Sequence, residues 1–75
     1  MGWVNNDSIT GTLTYLSNPT YRGDSLVDAL TQIGVDASFA SRREIARRNG
    51  IENYTGSARQ NLELLRLLRE GRLKQ

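Results

Sequence analysis

The chain of 75 residues contains neither histidine nor cysteine. That removes the usual nucleophile–base pairs, the common transition-metal ligands and the side chain best suited to moving protons near neutral pH. Carboxylates are the remaining route to catalysis, and Asp28, Asp36, Glu44 and Glu52 could in principle pair as acid and base for glycoside hydrolysis. Such a pair needs a cleft that raises the pKa of one carboxyl, and a chain this small has little volume for one. Helix chemistry accounts for these acids more simply. Asp24, Asp28 and Asp36 fall where helices start and negative charge favours the helix dipole, and Glu44 has Arg48 four residues on. The sequence therefore predicts no catalytic residue, no cofactor and no metal site. What remains is recognition by amides, hydroxyls, aromatic rings and guanidinium groups.

The elements that must position these groups are legible. Hydrophobic residues at 37%, charged residues at 24% and a single proline describe a folding chain, not a disordered one. No apolar run approaches the roughly 20 residues needed to cross a bilayer, and the N-terminus lacks a signal-peptide pattern, so membrane insertion is not expected. The net charge of +2 is unevenly placed, with Asp7, Asp24, Asp28 and Asp36 against Arg22 in the first half and a basic second half. All but one of the 10 cationic residues are arginine, which favours planar bidentate contacts.

Asp24 or Ser25 caps a first helix closing at Gly34, with Leu26, Val27, Leu30 and Ile33 as its buried stripe. A second helix begins after Asp36 or Ser38 and stops at Asn49-Gly50, with Phe39, Ile45 and Ala46 facing inward. Ser57 and Gln60 form a capping box for a third, running to about Glu70. Ala58, Leu62, Leu65 and Leu68 make its stripe, and Leu64 and Leu67 widen it. Upstream, Thr10, Thr12 and Thr14 alternate with Gly11, Leu13 and Tyr15 in strand-like period two, before a turn at Asn18-Pro19. The expected fold is mainly α: a compact three-helix bundle over residues 21–75, with residues 1–20 as an extended, strand-like or linker segment.

Ser41 to Ile51, SRREIARRNGI, has the pattern of the first half of a helix-turn-helix. Beyond it, Gly56 and Arg59 stand where a recognition helix needs apolar residues, so nucleic acid is an alternative partner and not the leading one. A longer pattern runs from Tyr21 to Leu73. It is carried by Gly23, Ser25, Val27, Asp28 and Leu30, then Gly34, Asp36, Ser38, Phe39, Arg42, Ala46, Asn49, Gly50 and Ile51. It continues through Tyr54, Gly56, Ala58, Gln60, Asn61, Leu64, Leu65 and Gly71. This stretch resembles the small C-terminal cell-wall-binding modules of phage and bacterial lysins, attached there to muramidases or amidases. Gly2-Trp3-Val4-Asn5 looks like the final strand of a bacterial SH3-type domain, the other reading being an extended arm packed on the bundle.

The resemblance implies a non-catalytic module that holds an attached hydrolase on peptidoglycan, outside the cell at the bacterial wall, with its catalytic domain elsewhere. Peptidoglycan presents sugar rings, acetamido groups, peptide amides and carboxylates, so its receptor needs aromatic faces, amide partners and cations. Under this reading Tyr54, Thr55 and Gly56 form a ligand-facing loop, and Gln60 and Asn61 supply amide contacts. Arg42 or Arg43 meets a carboxylate, and Asp36 and Ser38 border the same groove. Tandem copies would add avidity. A helical interaction or self-association domain is the third reading, because the third helix carries more leucine than a narrow stripe requires.

Overall fold

The computed structural model describes residues 14–75, in the order β1 (Tyr15–Leu16), α1 (Leu26–Gln32), α2 (Phe39–Arg48), α3 (Ala58–Arg69) and β2 (Leu73–Lys74). Each helix starts on a serine whose hydroxyl accepts a first-turn amide. Ser25 takes the N–H of Asp28 at 3.1 Å, Ser38 that of Ser41 at 3.2 Å, and Ser57 that of Gln60 at 3.2 Å. The Gln60 side chain returns to the Ser57 backbone and completes the expected capping box. Such caps are worth about 1 kcal/mol each. That matters here because helices of 7, 10 and 12 residues are not stable alone.

The fold is mainly α, as the periodicity predicts. Leu30, Leu64, Leu68 and Leu73 are fully buried at its centre, surrounded by Tyr21, Leu26, Ala29, Ile45, Ala46, Tyr54 and Leu65. α1 packs on α3, while β2 doubles back after Gly71 to lie against both α2 and α3. β1 pairs antiparallel with β2, Tyr15 opposite Lys74 and Leu16 opposite Leu73. Tyr15 to Asn18 are thereby joined to the helical unit. The earlier Thr10–Thr12 alternation and the SH3-like Gly2–Asn5 lie outside the described residues.

Asn18 is the buried polar side chain of the described core, only 5% exposed. Its Nδ2 donates to the Ala29 carbonyl at 2.9 Å and to Gln32 Oε1 at 3.2 Å, and its backbone N–H donates to the Leu68 carbonyl at 2.9 Å. One residue therefore ties the N-terminal segment to the last turns of α1 and α3.

Four residues expected to face inward are corrected. Phe39 is 45% exposed, because the first residue of α2 overhangs the core and meets only the loop before α3. Leu62 is 50% exposed and Ala58 is exposed: the buried face of α3 is Leu64, Leu65 and Leu68, with half-buried Asn61 on the same side, rotated from the expected stripe. The rotation puts a polar residue at the first core-facing position, where Tyr54 pairs with it. Val27 is 40% exposed while Ala29 is buried, since α1 presents Leu26, Ala29 and Leu30 to α3. Tyr21 and Leu73 belong to the core although neither sits in a periodic helical stripe.

Replacing Asn18 by alanine leaves the buried Ala29 carbonyl without its donor, so Asn18→Ala lowers stability by about 1–3 kcal/mol. Urea unfolding reads this as a lower midpoint at unchanged slope.

Candidate functional site

Between α2 and α3 the chain runs through residues 49–57, longer than the three- or four-residue turn of a helix-turn-helix. The Tyr54 ring descends from this loop into the core, 6% exposed, and its hydroxyl stops between the two helices. There it accepts from Arg42 Nη1 at 3.0 Å and donates to Asn61 Oδ1. Arg42 Nε donates to the Ala37 carbonyl at 3.0 Å, and Asn61 Nδ2 reaches the Gly56 carbonyl at 3.4 Å. The loop, the start of α2 and the start of α3 thus close on one phenolic oxygen.

Phe39 covers this knot. Its ring centroid lies 5.5 Å from that of Tyr54, tilted by 36°. The Arg42 guanidinium carbon sits 5.8 Å from the Phe39 centroid and 6.0 Å from the Tyr54 centroid, within cation–π range of both. Gly56 has φ +77° and lies under the Phe39 edge, where a Cβ would come within 3.4 Å of the ring. A residue with a Cβ is strained there by the left-handed backbone.

Gln60 holds the other half of the loop. Its Oε1 accepts from the Thr55 N–H at 2.8 Å, the Thr55 hydroxyl at 3.2 Å and the Ser57 N–H at 3.4 Å, and its Nε2 donates to the Asn53 carbonyl at 2.9 Å. The amides of Gln60 and Asn61 are therefore engaged in shaping the loop. This shape leaves Phe39, Thr55 and Ser57 exposed, and half-buried Arg42 keeps one nitrogen, Nη2, without a hydrogen bond among the described residues.

The structure brings Arg42, Tyr54, Gly56 and Asn61 into contact, with Thr55 and Gln60 adjoining them. Asp36 and Ser38 are engaged locally: the Asp36 carboxylate accepts from the Ser38 N–H at 2.9 Å, and Ser38 caps α2. Arg43 is exposed and makes no contact with the Tyr54 cluster. Phe39, read from the sequence as core, is the aromatic face of the site. The available signal was its spacing from Arg42, since residues three apart share a helix face.

Part of the charge elsewhere on the helices is held in local ion pairs, while Arg59 and Arg69 of α3 stand outside them among the described residues. Glu44 pairs with Arg47 and, at 3.6 Å, with Arg48; Arg66 pairs with Glu63 at 2.6 Å and with Glu70 at 3.3 Å. The hydrogen bond from Arg47, then its charge, holds the Glu44 carboxyl below its ordinary value. The Glu63 carboxyl is lowered likewise, first by its hydrogen bond from Arg66. Arg42 and Arg43 are the cations of α2 outside ion pairs among the described residues.

No protein-family model matches the chain, and no solved structure does. Among curated proteins, the L-alanyl-D-glutamate peptidase of Listeria phage A118 is 45% identical over 47 residues, 63% of this chain. The match spans 17% of that protein's length. A segment of this chain is thus related to a small part of a phage peptidase.

Tyr54→Phe strands Arg42 Nη1 and Asn61 Oδ1 at a half-buried position and lowers stability by about 1–3 kcal/mol, read from the urea midpoint. Glu44, with its folded pKa depressed, contributes stability that is complete above the ordinary carboxylate value of 4.5 and lost as pH falls through the folded pKa. Glu44→Gln is accordingly a little less stable than wild type at neutral pH, and the two converge in acid. Thermal unfolding followed across pH measures the convergence.

Proposed function

We propose that this chain is a non-catalytic peptidoglycan-binding module that holds an attached hydrolase on the bacterial wall, and that the Phe39–Arg42 edge of the loop is where it binds. Similarity to about one-sixth of a phage peptidase, in a chain with no histidine or cysteine, carries this reading. The similarity covers a small part of that protein, and this chain lacks the histidine and cysteine that many hydrolytic mechanisms use. A targeting role explains why such a segment would travel with a peptidase.

The chemistry of the loop supports the same reading. Phe39 offers a ring against which the C–H face of a sugar stacks, and the Arg42 Nη2 offers a donor for a carboxylate or an amide oxygen. Thr55 adds a hydroxyl. Tyr54, Gly56, Gln60 and Asn61 act one step back, fixing this edge, so that little conformational freedom is lost on binding. Asp36, Ser38 and Arg43 serve at most as the periphery of the site.

Self-association is a second reading, favoured by one observation. The exposed Val27 and Leu62 face each other across a groove of about 370 Å³ between α1 and α3, which Ala58 also lines. Leu62→Glu would abolish a dimer formed there, and light scattering reads the mass directly. A wild-type mass equal to the monomer at high concentration removes this reading.

The test of wall binding is co-sedimentation of the purified chain with insoluble peptidoglycan free of teichoic acids, at low and high salt, beside a duplex-DNA shift assay. Salt-resistant sedimentation without a DNA shift is expected, and Phe39→Ala should weaken it by about tenfold, as loss of an aromatic contact does. With no histidine to titrate, binding stays constant across roughly pH 6–8. A steeply salt-dependent DNA shift without wall binding would overturn the proposal.

A further inference from the structure

A second concavity lies at the far end of α2. It measures about 380 Å³ and is lined by Tyr15, Asn49, Leu67, Gly71, Arg72 and Lys74. Tyr15 is 52% exposed, although β1 needs only its backbone for pairing and sends Leu16, not Tyr15, toward the core. Half-buried Leu67 contributes apolar surface to the lining. Lys74 is the sole lysine of the chain, and its ammonium has no ion-pair partner among the described residues. Arg72 is partly neutralised by Glu70 at 3.1 Å.

One wall of this cleft is held by the residue that also ends α2. Asn49, the C-cap of α2, donates from Nδ2 to the Ile45 carbonyl at 2.7 Å and the Lys74 carbonyl at 2.9 Å. Its Oδ1 accepts from the Lys74 N–H at 2.9 Å. The side-chain amide thus pairs with β2 as a neighbouring strand would and holds the Lys74 backbone beside the end of α2. The cleft offers the same combination as the Phe39 edge: an open aromatic face beside an available cation. The two lie at opposite ends of α2, about 15 Å apart at the usual rise per residue.

We propose that the Tyr15–Lys74 cleft is a second subsite for an anionic glycopeptide, with a sugar face on Tyr15 and a carboxylate on Lys74. The proposal rests on the wall-binding reading and extends it: one small domain holds a single repetitive polymer at two points. Each contact alone is weak, since little area is buried and ordering must be offset. Two contacts on one strand make the second intramolecular, so the pair binds far more tightly than either.

The test titrates the full chain with a soluble disaccharide-tripeptide muropeptide, following backbone amide shifts by NMR, and repeats wall co-sedimentation with Lys74→Glu and Tyr15→Ala. Both variants keep the Asn49 bonds and the β1–β2 pairing, which use backbone atoms of residue 74 and residue 15. In the wild type, two separate groups of amides should move, one around Phe39, Thr55 and Gly56 and one around Tyr15, Asn49 and Leu67. Lys74→Glu should lose the second group alone and weaken wall binding by about five- to tenfold, with Tyr15→Ala weakening it similarly. Shifts confined to the Phe39 group, with wall binding unchanged in both variants, would overturn the second subsite and leave the wall-binding proposal standing. Failure of the wild type to sediment with wall would overturn both.

Discussion

The hydroxyl of Tyr54 is the point on which the helical arrangement depends. α2 meets the rest of the molecule mainly through β2, and at its N-terminal end it is held by Arg42 reaching the Tyr54 oxygen. The same oxygen engages Asn61 on α3 and, through that amide, the Gly56 carbonyl. A buried phenol without a partner forfeits much of what its ring burial contributes, so the native positions of the two helices and the loop are coupled through this oxygen. Phe39 and the Arg42 guanidinium then close over the knot. The edge proposed to meet ligand is in this sense a by-product of how α2 is fastened.

The opposite end of α2 is fastened by the same means. Asn49 takes both backbone groups of Lys74, and Asn18 secures the first strand segment to α1 and α3. A chain of this size buries a modest share of its surface, and its four fully buried leucines are a small core. Side-chain amides and serine caps supply the fixing that longer helices or disulfides give other small domains. Polar groups used this way also specify a single geometry, because each has one arrangement in which its donors and acceptors are satisfied.

The sequence made the helices and their starts legible, since Ser25, Ser38 and Ser57 cap by local chemistry that depends on neighbouring residues alone. Facing was harder. The inward side of α3 begins with half-buried Asn61, and a stripe chosen by apolarity passes over it in favour of Leu62; Tyr54 across the gap supplies the partner for the polar side chain. Phe39 was read inward for the complementary reason, that nothing local says where a helix end overhangs its core. Leu16 and Leu73 are invisible as partners in the sequence because antiparallel pairing between distant segments leaves no periodic trace. Of the site residues, Arg42, Tyr54, Gly56 and Asn61 do converge, while Gln60 and Asn61 turned out to be tied into the loop, which spacing alone does not reveal.

A module that binds wall in this way would raise the local concentration of an attached enzyme without changing its chemistry, and its grip would be insensitive to the proton concentration near neutrality. The most direct measurement is of intermolecular nuclear Overhauser effects between the isotopically labelled chain and solubilised peptidoglycan. Contacts from the Phe39 ring protons to sugar C–H or acetamido methyl protons, with Thr55 nearby, are the predicted result. Contacts that avoid Phe39 altogether, or none in a sample shown to be folded, would contradict the account.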